Sequence, residues 1–188
     1  MAAGQMAGPT PREGRSTRNL GLVMWGPFTP AEWGLVTVSF FLMEGGSYLA
    51  HRFVMHRIGR FLHDSHHQVS DGGFELNDLY PVMFAGFTIM AMAAGAWLPD
   101  LRPLLVVGTG VTAYGAAYMF VHDVYIHRRL PFFRREVAWL ERLREAHRIH
   151  HLYGGEPYGM LFPVVPAELA ERATHTTRDP LPRIPARA

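Results

Sequence analysis

LYPVMFAGFTIMAMAAGAWL (residues 79–98), PDLRP (99–103) and LLVVGTGVTAYGAAYMFV (104–121) run consecutively: two charge-free stretches flank a turn holding Asp100, Arg102 and two prolines. Uncharged stretches of that length match the ~20 residues a helix needs to cross the hydrocarbon core of a bilayer. So short a connection makes the two an antiparallel helical hairpin. Gly86, Gly95, Gly108, Gly110 and Gly115 would weaken helices in water, whereas in lipid small residues let helices approach closely. Upstream, Thr29-Pro30-Ala31-Glu32 reads as a capping box with proline at the first helical position. The helix it opens, continued to Ala50, covers roughly 33 Å at ~1.5 Å per residue, with Glu44 its only interior charge. The expected fold is all-α: an integral membrane helical bundle of three to four transmembrane helices with a cytoplasm-facing, histidine-rich helical cap.

The rest of the composition agrees with that profile. At 188 residues the chain suits one domain. A net charge of +2 leaves no nucleic-acid footprint, and all eighteen basic residues are arginine. The absence of cysteine excludes disulfides, thiolate catalysis, iron–sulfur clusters and Cys-type zinc sites, so any metal is bound by histidine, carboxylate or backbone oxygen. Residues 1–18 and 172–188 are Gly/Pro/Ala/Arg-rich and read as poorly ordered tails. Leu20–Phe28 is apolar but too short to span, and is broken by Gly26 and Pro27. It suits the membrane interface, and no convincing small-residue cleavage site marks it as a signal peptide. The organisation is therefore a tail with an interfacial segment (1–28), a membrane domain (29–171) and a C-terminal tail (172–188).

Three spans bring the ends of the first and third and the start of the second to one face. Fourteen of the eighteen arginines lie there, which the positive-inside rule assigns to the cytoplasm. Arg12, Arg15 and Arg18 would then lie outside, and a fourth or re-entrant segment near Leu20–Phe28 is the alternative that removes the conflict.

Ten of the eleven histidines fall on this same face, as His51-x4-His56, His63-x2-His66-His67, His122-x4-His127 and His147-x2-His150-His151. Positions i, i+3 and i+4 share one helix face, so each triplet places three imidazoles on one stripe, in the last cluster continuing Leu140 and Leu143 of the amphipathic segment Phe132–His151. The i, i+5 pairs are awkward in an α-helix, diverging by about 140° at ~100° per residue. Each pair must straddle the site or the helix must unwind at the membrane boundary. So many imidazoles suit a two-metal site with about five ligands per ion, since a structural zinc needs only about four. Imidazole suits iron, zinc, copper and nickel alike. Glu44, Asp64 and Asp123 are placed to accept a hydrogen bond from the far nitrogen of a ligating ring. His175 reads as a surface histidine.

The motifs carry a resemblance. His51-Arg52-x3-His56, His63-x2-His66-His67, Phe74-Glu75-Leu76-Asn77-Asp78, Tyr118-Met119-Phe120-Val121-His122-Asp123-x3-His127-Arg128-Arg129, Ala146-His147-x2-His150-His151 and Pro157-Tyr158-Gly159 resemble the β-carotene 3-hydroxylases of bacteria and plants. Those enzymes belong to the broad fatty acid hydroxylase and sterol desaturase superfamily. The likeness covers about Met43 to Pro166 and departs from the family at Val124-Tyr125, where Gly-Leu is usual. It implies a monooxygenase that hydroxylates the β-ionone rings of β-carotene at carbon 3, giving β-cryptoxanthin and then zeaxanthin. It further implies two iron ions on the ten histidines, zinc being able to replace iron on purification, with O2 as co-substrate and a ferredoxin-type electron donor. The substrate would enter from the bilayer past Phe40, Phe84, Phe87, Tyr118 and Phe120, and the donor would meet the arginine-rich segment 128–148. The expected location is the bacterial cytoplasmic membrane with the site facing the cytoplasm. The rival readings are a fatty-acid or sterol hydroxylase or desaturase with the same metal site, and a non-enzymatic metal transporter, which would place its ligands nearer the bilayer midplane.

Overall fold

The computed structural model describes residues 27–68, 74–130, 132–133 and 135–181, and every regular element among them is helical. Helix α1 (Pro30–Leu49) begins where its capping box requires, with the Glu32 N–H donating to Thr29 Oγ1 at 3.2 Å and the Thr29 N–H to Glu32 Oε2 at 2.8 Å. It passes without a break into a π-helical segment, Ala50–Ile58, and then into the short α2 (Arg60–His63). A 3₁₀ turn at Leu76–Asp78 leads into α3 (Leu79–Trp97), and a second at Pro99–Leu101 reverses the chain into α4 (Arg102–Met119). Helix α4 also ends in a π-helical segment, Phe120–Ile126. Helices α5 (Ala138–Tyr153) and α6 (Ala167–Thr174) complete the described chain.

The hairpin of α3 and α4 forms as its turn demands, and the continuous helical stretches Leu76–Trp97 and Pro99–Ile126, which include the flanking 3₁₀ turns and the π-helical end of α4, are long and apolar enough to cross a membrane. Few of their residues are buried by the protein. Val82, Phe87, Ile89, Met90 and Trp97 of α3 all face outward, which suits lipid and not water. Helix α1 has the length but carries Glu32, Glu44 and several Gly, Ser and Thr residues, and it falls short of the same apolarity. It packs along α4, which lies between α1 and α3. A Cβ at Gly110 would meet the Val36 carbonyl oxygen at 2.4 Å and Ser39 Cβ at 2.8 Å, so only glycine permits this α1–α4 approach. At the end remote from the histidines, Arg102 Nε donates to Glu32 Oε1 at 2.6 Å and ties the two helix starts together.

Close packing concentrates beyond the spans. Tyr114, Val121, Tyr125, Ile126, Leu140, Leu143, Met160 and Leu161 form one buried cluster that seats α5 against the end of α4. The amphipathic helix starts at Ala138, six residues later than its sequence pattern suggests. At the C-terminus the expected tail boundary at 172 falls inside α6. Packing continues to Leu181, which joins the buried cluster, while Arg144 Nη2 donates to Asp179 Oδ2 at 2.8 Å. The Leu20–Phe28 segment lies outside the described residues up to Gly26, as do tail residues 1–18 and 182–188.

Candidate metal centre

The two i, i+5 pairs coincide with the two π-helical segments: His51 and His56 lie within the first, and His122 lies within the second, which His127 caps. A ring closed i→i+5 widens the turn, so residues five apart return to one side. The Gly59 N–H bonds the Val54 oxygen at 2.7 Å and the His127 N–H bonds the His122 oxygen at 2.8 Å, both across five residues. The ring centroids of His51 and His56 lie 5.0 Å apart and those of His122 and His127 4.6 Å. Of the two expected alternatives, the helix does loosen its winding at each pair, but without breaking. It keeps helical hydrogen bonding and changes its pitch.

The first triplet is a correction of another kind. Only His63 lies on helix α2; His66 and His67 occupy the turn that follows, so His63, His66 and His67 do not form a helical stripe. Gly59 makes room for this reversal: the Tyr80 hydroxyl donates to the Gly59 oxygen at 2.8 Å, and a Cβ there would stand 1.8 Å from that hydroxyl. The second triplet stays helical on α5.

Together the ten rings converge as two groups. His51, His56, His63 and His150 bring one nitrogen each within 4.8 Å of one another, as do His66, His122, His127 and His147. His67 joins the first group through His63, with Nε2 atoms 3.2 Å apart, and His151 joins the second through His147 at 2.9 Å. Each triplet thus divides: its first and last members serve one group, and its middle member, His66 or His150, crosses to the other. His67 and His151 stack at 4.4 Å where the groups meet.

The inner nitrogens face one another closely, as in the pairs His51–His63 and His56–His150 at 3.2 Å and His66–His122 and His127–His147 at 3.0 Å. The outer nitrogens of five rings point at acceptors: His51 Nδ1 at the Tyr158 oxygen (3.0 Å), His63 at Asn77 Oδ1 (2.7 Å), His66 at Glu75 Oε2 (3.1 Å), His122 at Asp123 Oδ2 (3.3 Å) and His150 at the Gly155 oxygen (2.6 Å). An Nδ1–H that donates outward leaves Nε2 as a bare lone pair facing other bare lone pairs. Burial, followed by the neighbouring rings, holds His66, His147, His150 and His151 well below the usual imidazole pKa, and His67 at about 3, so protonation does not relieve the crowding. A cation does. Metal–nitrogen bonds of ~2.1 Å at right angles set nitrogens ~3 Å apart, which is the spacing found. The donor set fits a pair of metal ions.

The three anticipated carboxylates part ways. Asp123 bonds His122 and is held in turn by Arg129 Nη1 at 3.3 Å. Asp64 is half exposed and pairs with Arg60 at 3.2 Å; it shares the wall of a cavity with His56 and His67, and its carboxylate bonds the guanidinium and not a ring nitrogen. Glu44 does not bond a histidine either. Its carboxylate accepts the N–H groups of Met160 (2.8 Å), Leu161 (3.1 Å) and Phe162 (3.0 Å) and the Tyr114 hydroxyl (2.6 Å), and so fastens the loop whose Tyr158 carbonyl holds His51. The residues missed were Glu75 and Asn77, both buried. Their signal was polar side chains abutting an apolar span at the histidine face. Asp78 of the same stretch bonds Arg129 Nη2 at 2.6 Å and so connects it to Asp123. His175 is exposed and apart, as expected.

An open cavity of about 690 Å³ borders the first group, lined by Arg52, Arg57 and Arg60 around His56 and His67, with Tyr153 and Tyr158 at its wall.

The family model for fatty acid hydroxylases matches residues 36–167, a range that holds every histidine of both groups. Among curated proteins, the chain is similar to "Beta-carotene hydroxylase" of Pseudescherichia vulneris, at 41% identity over 72% of this chain and 78% of the relative. It is similar to the protein of the same name from Pantoea ananas at 38% identity, over 77% of this chain and 85% of the relative. It is also 38% identical to "Beta-carotene 3-hydroxylase 1, chloroplastic" of Arabidopsis thaliana, over 69% of this chain and 43% of that longer protein. No solved structure matches.

Proposed function

The chain belongs to the fatty acid hydroxylase family, and from that premise we propose that it hydroxylates the β-ionone rings of β-carotene at carbon 3, converting β-carotene to β-cryptoxanthin and zeaxanthin. The observation that carries the chemistry is the convergence of ten imidazoles into two groups of five. The named activity of the relatives carries the substrate.

The residues that would hold two iron ions are His51, His56, His63, His67 and His150 for one, and His66, His122, His127, His147 and His151 for the other. Bound there, the pair would supply the activation of O2 for insertion of one oxygen atom into a ring C–H bond. The chain's own work is to hold and shield. Glu75, Asn77, Asp123 and the carbonyls of Gly155 and Tyr158 keep the Nδ1 protons outward, so that the Nε2 lone pairs stay aimed inward. Tyr118 packs over His122 at 5.3 Å and closes the membrane side of the second group against water. A C40 hydrocarbon reaches such a site through the bilayer, past the outward-facing Phe84 and Phe87 of α3. Phe40 and Phe120 pack against Tyr114 and Phe133 and support the fold more than the path.

Electrons come from a separate ferredoxin-type protein. The cavity edged by Arg52, Arg57 and Arg60 opens beside His56 and His67, and offers an acidic donor a docking face in addition to the 128–148 segment. We place the enzyme in the bacterial cytoplasmic membrane with α1, α3 and α4 as three spans and the histidines on the cytoplasmic side. Nine of the ten clustered histidines lie beyond the two apolar stretches and His122 sits near the end of the second, far from its middle, which disfavours a transporter.

The test is expression in a β-carotene-accumulating bacterial host supplied with a reductase system, followed by pigment chromatography. Zeaxanthin and β-cryptoxanthin are expected, and both disappear in His66→Ala and His150→Ala while the protein remains in the membrane. Unchanged β-carotene from well-expressed protein, with hydroxylation of fatty acids or sterols instead, would favour the rival family activity.

A further inference from the structure

The two groups of five differ in what stands behind them. In the His51 group, the outer nitrogens of His51, His63 and His150 donate to the Tyr158 carbonyl, the Asn77 amide oxygen and the Gly155 carbonyl, and every one of these acceptors is neutral. In the His66 group, the outer nitrogens of His66 and His122 meet the carboxylates of Glu75 and Asp123. Two residues of one short stretch, separated only by Leu76, supply this contrast, since Glu75 serves one group and Asn77 the other. The surroundings extend it. Near the His66 group, Glu75, Asp78 and Asp123 set three carboxylates around the guanidinium of Arg129, while Arg144, which also faces His127, is paired with Asp179. Near the His51 group the charges cancel in pairs, Arg60 with Asp64 and Arg52 with Glu156, and Arg57 stands at the cavity edge.

An imidazole that donates to a carboxylate is a more basic ligand than one that donates to an amide, and a negative surrounding favours the more highly charged metal state. We propose, building on the two-iron reading above, that the two metal positions are inequivalent: the ion on the His66 group is bound more tightly and holds its higher oxidation state more readily than the ion on the His51 group. Glu75, Asn77 and Asp123 are the positioning residues that set the difference. The weaker position is also the one beside the arginine-edged cavity, so the ion that accepts an electron more readily lies nearest the open face.

The experiment is anaerobic reconstitution of the detergent-solubilised protein with ferrous iron, followed by challenge with a ferrous chelator while released iron is read optically. Two ions per chain are expected, leaving in two phases. Glu75→Gln and Asp123→Asn should speed the slow phase by about 10- to 100-fold and spare the fast one, the scale on which such hydrogen-bond partners act. Asn77→Asp should slow the fast phase. The variants keep side-chain shape, and circular dichroism confirms that each retains its helices. One-electron oxidation of ⁵⁷Fe-loaded protein should give, by Mössbauer spectroscopy, trapped ferrous and ferric ions in wild type and a less localised pair in Asn77→Asp. Two ions leaving in a single phase, or a slow phase indifferent to both carboxylate variants, overturns the inequivalence and leaves the two-metal reading standing. Fewer than two ions per chain at saturating iron overturns both.

Discussion

Glu44, a charge inside an apolar helix, supports the site without touching a histidine. Its position seven residues before His51 suggested a partner for a ring nitrogen. The structure instead spends all of its hydrogen-bonding capacity on three consecutive backbone N–H groups and the Tyr114 hydroxyl. The effect on His51 is indirect, through the carbonyl of Tyr158 in the same loop. Glu44→Ala strands those donors, and each unsatisfied buried group costs ~1–3 kcal/mol. The variant should therefore unfold at lower temperature in a detergent melt, by ~2 kcal/mol or more, and lose hydroxylation with it. Glu44→Gln retains one good acceptor oxygen and should recover part of both. Equal melting of wild type and Glu44→Ala would show that the loop is held by other contacts. Asp64 and Asp123 were equivalent in sequence, each beside a histidine. Only Asp123 faces a ring, because the π-helical pitch turns it and His122 toward Arg129, whereas Asp64 follows the end of α2 and points at Arg60.

At the scale of elements, the two π-helical segments reconcile an awkward histidine spacing with an unbroken helix. A π turn has poorer geometry than an α turn and persists where function holds it. Here it ends against Gly59, whose missing side chain lets the Tyr80 hydroxyl reach the backbone. Gly59→Ala should destabilise the fold by ~1–3 kcal/mol through overpacking and should misplace His56 and His63 together. Removing the hydroxyl relieves the clash, so Gly59→Ala combined with Tyr80→Phe should be more stable than the sum of the two single changes implies. Urea or thermal unfolding of the four proteins measures that coupling, and strict additivity would argue that the contact does not govern the bend. The capping box at Thr29, the α3–α4 hairpin and the amphipathic character of α5 were all legible beforehand, because each is a local matter of period, cap and turn. The change of pitch was not, since nothing in residues 50–58 taken alone prefers i→i+5 bonding; the demand comes from where the other rings stand.

At the scale of the whole molecule, the apolar spans are exposed and the polar end is buried, an inversion that suits a bilayer above and a metal-filled core below. A cysteine-free chain makes its sidedness easy to test. With three spans, single replacements Phe28→Cys and Asp100→Cys should react with a membrane-impermeant maleimide from the periplasmic side of spheroplasts, and Arg57→Cys and Gly154→Cys only after lysis. Labelling of Phe28→Cys together with Gly154→Cys would leave two spans, those of α3 and α4. Sequence alone determined that the chain is helical, that α3 and α4 form an antiparallel hairpin apolar enough to cross a membrane, and that ten histidines fall in four clusters of metal-ligand spacing, because hydropathy, caps and spacing act over a few residues. Tertiary structure alone decided which histidine joins which group, that the middle member of each triplet crosses over, that Glu75 and Asn77 back different groups, and that Glu44 holds a loop. Those assignments depend on which side chains meet across α1, α4, α5 and the turns between them, and a pairing over a hundred residues of chain, such as His51 with Tyr158, leaves no periodic trace in the order of amino acids.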